Sequence, residues 1–188
     1  MGYLEIVIIA IGLAMDAFAA SISKGLCMNK FEKKYALLIA VFFGGFQFLM
    51  PVIGWILGSS FAKYIMFIDH WIAFILLSFI GGKMLIEAFE KQKIECCDVN
   101  LYNIKRIFIL AIATSIDALA VGITFALMPE IHIVDSALII GIITFVISYL
   151  GVFIGYKFGT KFEKMAEIFG GLILIIIGIK ILVEHLFF

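Results

Sequence analysis

"AIGLAMDAFAASI", residues 10–22, returns as "AIATSIDALAVGI" at 111–123. The copies agree at alanine, isoleucine, aspartate, alanine, alanine and isoleucine. Each sets one carboxylate, Asp16 or Asp117, inside an otherwise apolar run. A lone carboxylate in such a setting is costly and points to function. The same one at a fixed offset of 101 residues points to a duplicated architecture.

What surrounds those runs decides their solvent. The chain has 188 residues, 64% hydrophobic and 15% charged, whereas a soluble domain is roughly half apolar and a quarter charged. Six apolar runs, at 4–24, 35–57, 65–89, 106–127, 133–156 and 166–187, each approach the roughly 20 residues that cross a bilayer. The connections are short, so the helical bundle itself is the functional unit and soluble enzymology is excluded. A formal net charge of zero gives no footprint for nucleic acid. "AFAAS" resembles a signal cleavage site, but "MGYLE" lacks the basic start of a signal peptide, so the first run reads as a retained helix. Cys27 stands alone, and the adjacent Cys96 and Cys97 lack zinc-site spacing, so they read as reduced loop thiols.

Lys and Arg in short loops set orientation. Lys24, Lys30, Lys33 and Lys34 join spans 1 and 2; Lys91, Lys93, Lys105 and Arg106 join spans 3 and 4; Lys157, Lys161 and Lys164 join spans 5 and 6. The other two loops hold Lys63 alone. The basic loops are therefore expected in the cytoplasm, with both termini outside. At the same offset of 101, "IGWILGSSF" (53–61) lies over "IGYKFGTKF" (154–162), and "GGKMLIE" (81–87) lies over "GIKILVE" (178–184) after a four-residue slip. The expected fold is an all-α integral membrane protein, six transmembrane helices in two three-helix repeats. Residues 1–93 form the first repeat, 94–105 a cytoplasmic linker and 106–188 the second. Three helices is an odd number, so the copies have inverted topology, with a substrate site near the midplane where they meet.

Asp16 and Asp117 are the only acidic residues near the centre of a span, and they are the aligned pair. Gly12, Ala19 and Ala20 flank Asp16 at helical spacing, as Ala113, Thr114 and Ala120 flank Asp117. Small faces of this kind let helices approach closely. Span 2 adds Gln47 within "FGGFQFLMPVIGW", followed by Pro51, which would free the Gln47 carbonyl. The equivalent of Gln47 in span 5 is Ser148, while Val152 replaces Pro51. Ser148, Thr114 and Ser23 are candidate additional ligands or path-lining groups; a plain packing role is the alternative for each.

This donor set is all oxygen and carries negative charge, which suits a hard divalent cation or a proton. His70, His132 and His185 fall at span edges and read as interfacial. Lys83 with Glu87 and Lys180 with Glu184 are i,i+4 pairs on spans 3 and 6, either gates and proton groups or interfacial anchors. Trp55, Trp71 and the terminal phenylalanines fit aromatic belts.

"GLAMDAFAASISKG", "FGGFQFLMPVIGW", "HWIAFILLSFIGGKMLIE", "AIATSIDALAVGI" and "AEIFGGLILIIIGIKIL" together resemble the MntP family of bacterial manganese efflux pumps, within the LysE-type exporter superfamily. The resemblance covers essentially the whole chain. It implies a multi-pass inner-membrane exporter with Mn²⁺ as transported substrate and no resident cofactor. Its metal-binding residues carry over to Asp16, Asp117 and Gln47. Exchange for protons is compatible with the same carboxylates. Export of an amino acid or other small solute, with the aspartates relaying protons, is the alternative, although no unpaired cation lies mid-span to recognise a carboxylate. A membrane interaction protein without transport is the third hypothesis.

Overall fold

A computed structural model describes residues 3–65, 74–75, 78–80, 82–83, 85–86, 103–128, 131–158, 168, 170–179 and 183. Among the described residues the structure is helical and contains no strand. Its elements are α1 (Tyr3–Leu26), α2 (Lys33–Ile65), α3 (Ile104–Ala113), α4 (Ile116–Ala126), α5 (Ile133–Phe158) and α6 (Gly170–Ile179). Among the described residues four stretches are long and apolar enough to cross a membrane: Tyr3–Leu26, Lys33–Ser60, Ile104–Ala126 and Ile133–Phe158. They match the first, second, fourth and fifth expected spans within a few residues. Helical residues at 78–80 and in α6 fall on the third and sixth runs. The linker at 94–102, His70, Trp71, Glu87, Cys96, Cys97, Lys180, Glu184 and His185 lie outside the described residues.

Local chemistry sets the helix ends. Glu5 and Asp135 stand in first turns and Lys24 and Lys157 in last turns, where each charge complements the helix dipole. The Asn103 side chain accepts the Arg106 N–H, which caps α3. One expectation needs correction. The fourth run, expected as a single helix over 106–127, is broken at Thr114-Ser115 into α3 and α4. Pro51, the louder breaking signal, lies inside an uninterrupted α2.

Packing joins the two halves of the chain rather than neighbours in sequence. α1 lies along α5, and α2 lies along both α4 and α5. Gly155 abuts the Ile22 carbonyl, and Gly54, 101 residues earlier, abuts the Leu119 carbonyl. A β-carbon at either glycine would occupy the space of that oxygen, so the backbones meet as small residues in membrane helices allow. The register gives direction. Gly151 meets Phe18 and Ser21 while Gly155 meets Ile22, so α1 and α5 run parallel. Gly122 meets Pro51 and Ala126 meets Gly58, so α4 runs parallel to α2. Gly44 meets Phe145 and Gly141 meets Phe48, so α2 and α5 are antiparallel.

The buried interior holds Ile9, Leu13, Phe125, Ile140 and Leu174 in one cluster and Tyr35, Ile39, Phe43 and Val152 in another. The opposite faces are apolar too. Leu37, Val41, Gly45, Leu49 and Ile53 on α2, and Leu138, Ile142, Val146 and Leu150 on α5, are exposed at four-residue intervals. In water such stripes would be association surfaces; on helices of this length they are lipid-facing.

Candidate functional site

The break in the fourth span begins with two hydroxyls. Ser115 Oγ donates to the Ala111 carbonyl at 2.7 Å, and Thr114 Oγ1 donates to the same carbonyl at 3.3 Å. Side chains that bond back to the preceding turn compete with the helix's own ladder and bend it. The chain restarts at Ile116, which places Asp117 in the first turn of α4. That position faces the positive end of a helix dipole, where a carboxylate is favoured.

Asp117 is only half satisfied there. Its Oδ1 accepts the Ala118 N–H at 2.7 Å, while its buried Oδ2 has no hydrogen-bond partner. Asp16 sits half-buried on the unbroken α1. The Asp117 carboxylate is within electrostatic reach of both the Asp16 carboxylate and the Lys83 ammonium. Lys83 belongs to the third run and is exposed on the isolated chain.

Gln47 ties α2 to the break. It is fully buried, and its Nε2 donates to the Thr114 carbonyl at 3.1 Å. Its Oε1 is buried without a partner. Ser148, the equivalent of Gln47 on α5, is also fully buried with an unpartnered hydroxyl. Gly151 against Phe18 and Ser21 sets the register of α5 on α1, so Ser148, one turn before Gly151, lies level with the part of α1 that holds Asp16.

The structure thus gathers Asp16, Asp117, Gln47, Thr114 and Ser148 around the crossing of α1, α2, α4 and α5. The Thr114 hydroxyl is engaged with Ala111, and its carbonyl accepts the Gln47 amide. Ser23 lies toward the end of α1 as a half-buried residue, its carbonyl accepting the Cys27 thiol at 3.4 Å. Among the described residues no three His, Cys, Asp or Glu side chains converge. Beside the two carboxylates, the oxygens gathered here are neutral ones, from amide, hydroxyl and backbone. That donor chemistry belongs to hard cations.

Sequence reading did not single out Ser115 or Thr144. The first starts the break, and the second is a fully buried threonine with an unpartnered hydroxyl. Neither stands out in an apolar run, where serine and threonine are ordinary packing residues.

Comparison with known proteins decides the family. The family model described as "Putative manganese efflux pump" matches residues 30–182. The chain belongs to the MntP family.

A "Putative manganese efflux pump MntP" from Clostridium perfringens (strain 13 / Type A) is 53% identical, covering 98% of this chain and 96% of the relative. One of the same name from Desulfitobacterium hafniense (strain Y51) is 53% identical over 100% of this chain and 98% of the relative. Another from Acetivibrio thermocellus is 52% identical over 99% and 93%. No solved structure matches. With MntP membership and, among the described residues, four helices long and apolar enough to cross a membrane, the chain is a multi-pass membrane protein of a transporter family rather than an enzyme family.

Proposed function

We propose that this chain exports Mn²⁺ from the bacterial cytoplasm across the inner membrane, through a midplane site whose ligands are Asp16, Asp117 and Gln47. One observation carries this reading: two buried oxygens, Asp117 Oδ2 and Gln47 Oε1, lack partners at a helix break that Gln47 itself bridges. Unsatisfied buried polar atoms are rare in folded proteins and call for an explanation. Broken helices are where membrane transporters hold ions. The names of the relatives supply manganese as the cargo.

The six-span inverted repeat is the architecture we attach to this site. Parallel packing of α2 with the α3–α4 span supports it. Two spans that cross in the same direction need a return crossing between them, and the third apolar run, 65–89, has the required length. The exchanged contacts of the two halves, first span of one on second span of the other, support the same arrangement. The basic loops then face the cytoplasm and both termini lie outside.

In this mechanism Mn²⁺ enters from the cytoplasmic side and exchanges water for protein oxygens. Asp16 and Asp117 balance its charge, and Gln47 orients the break while offering Oε1. The cation leaves outward. Proton entry is the counterflow, because a pair of carboxylates emptied of its cation is costly to keep charged within lipid. Lys83 lies close enough to Asp117 to offset part of that charge. Glu87, Lys180 and Glu184 are assigned to gating or proton passage.

The test is expression in a manganese-sensitive, efflux-deficient bacterium. The parent chain lowers cellular manganese, and Asp16→Asn and Asp117→Asn do not. A parent that leaves manganese unchanged but alters amino-acid excretion overturns the cargo. Normal export by both Asn variants overturns the site.

A further inference from the structure

Buried hydroxyls in this bundle follow one habit, with few exceptions. Ser21 donates to the Ala17 carbonyl at 2.6 Å, Thr124 to Ala120 at 3.2 Å and Ser136 to His132 at 3.0 Å. Thr114 and Ser115 likewise turn back on Ala111. Each hydroxyl thus meets its own helix one turn earlier, the usual solution where water is absent. On α5, Thr144 and Ser148 do otherwise. Both are fully buried, and both Oγ atoms lack a partner.

Their placement indicates what they face. α2 and α5 cross antiparallel where Gly44 meets Phe145 and Gly141 meets Phe48. Gln47 lies three residues beyond Gly44, Thr144 three beyond Gly141, and Ser148 three beyond Phe145. In an antiparallel pair, equal helical offsets from the seam fall on the same flank. Gln47 reaches the break at Thr114 from that flank, so Thr144 and Ser148 line the side of the seam that faces the carboxylate pair. The 101-residue equivalent of Thr144 is the buried Phe43. The two halves therefore differ here: α2 offers one amide, and α5 offers two hydroxyls a turn apart.

We propose that Thr144 supplies a further oxygen to the cation path, acting with Ser148 as a neutral, hard ligand pair on α5 that helps select oxygen-preferring divalent cations. This deepens the Mn²⁺ reading of Asp16 and Asp117 and rests on it. A hydroxyl with no protein partner is free to meet a cation or one of its waters, and a neutral oxygen adds to the shell without adding charge. Thr144→Val keeps the shape and replaces the hydroxyl with a methyl group, so the folded chain loses no hydrogen bond.

The test is Mn²⁺ transport by the purified full chain in proteoliposomes, read with a manganese-quenched fluorophore inside, together with thermal unfolding of each variant. T144V and T144A should both raise half-saturating Mn²⁺ about fivefold or more, corresponding to one lost ligand-strength contact. T144S should stay within about twofold of the parent, and the Tm of T144V should not fall. Unchanged half-saturation in T144V and T144A, with D16N inactive, overturns the Thr144 assignment and leaves the carboxylate site standing. A change in only one of T144V and T144A overturns it too, because packing rather than oxygen would be responsible. Full transport by D16N overturns the carboxylate site, and this proposal with it.

Discussion

The amide of Gln47 donates to the backbone carbonyl of Thr114 across 67 residues of sequence, at 3.1 Å, and so pins the second span to the point where the fourth one breaks. Around that bond lie Asp117 Oδ2 and Gln47 Oε1, two buried oxygens without partners. The bond holds the break against α2, and the two oxygens beside it are the ones the proposed site draws on.

Gln47→Leu separates structure from function. It removes the donor to Thr114, which by itself would cost about 1–3 kcal/mol for a buried unpaired carbonyl. It also removes an unpartnered Oε1, whose burial already costs a similar amount, so the two effects offset. The net stability change should stay within about 1 kcal/mol, or about 2–4 °C in Tm for a chain of this size. Mn²⁺ transport should fall at least about tenfold. Thermal unfolding in detergent and proteoliposome flux measure the two separately. A large loss of Tm with intact flux would make Gln47 a strut only.

The glycine contacts predict a sharp division. Gly54→Val and Gly155→Val place side chains where the carbonyls of Leu119 and Ile22 already lie, so neither variant should give a monodisperse folded protein. Gly45 is exposed and has no atom within 4 Å of its would-be β-carbon. Gly45→Ala should be neutral or stabilising by about 0.5–1 kcal/mol through helix propensity. Folded yield by size-exclusion chromatography and Tm distinguish these outcomes.

Replacing both back-bonding hydroxyls, Thr114→Ala with Ser115→Ala, should let α3 and α4 join. Alanine is the best helix former and makes no competing hydrogen bond. A continuous span rotates Asp117 away from its place in a first turn. Transport should fall about tenfold or more while the folded yield holds, although both aspartates and Gln47 are intact. Flux equal to the parent would show that the break is not needed.

Much of the fold was legible because lipid imposes a simple rule of length and apolarity. The spans at 4–24, 35–57 and 133–156 fall within a few residues of the observed stretches Tyr3–Leu26, Lys33–Ser60 and Ile133–Phe158. Asp16 and Asp117 were legible as a pair through the duplication alone, and their carboxylates lie within electrostatic reach. The break at Thr114-Ser115 was not. Whether a hydroxyl bends a helix depends on its rotamer and on a partner such as Gln47, neither of which is local in sequence. Pro51 behaves otherwise: one missing N–H is absorbed within a long packed helix, and α2 continues past it as the single span at 35–57 anticipated. Thr144 escaped notice because its repeat partner, Phe43, carries no polar atom.

Inverted topology predicts opposite sides for two exposed loop residues, Asn29 and His132. With Cys27, Cys96 and Cys97 changed to serine, Asn29→Cys should react with a membrane-impermeant maleimide only after the cells are opened. His132→Cys should react in intact cells. Labelling of both from one side would contradict the assigned orientation.

Equilibrium Mn²⁺ binding to the purified chain, followed by loss of the free-ion electron paramagnetic resonance signal, tests the central claim most directly. The parent should bind Mn²⁺ saturably at the Asp16–Asp117 site. Asp16→Asn and Asp117→Asn should each weaken that binding about 10–100-fold, as expected for losing one charged ligand of about 1.5–3 kcal/mol. Parent-like binding in both variants would contradict the account.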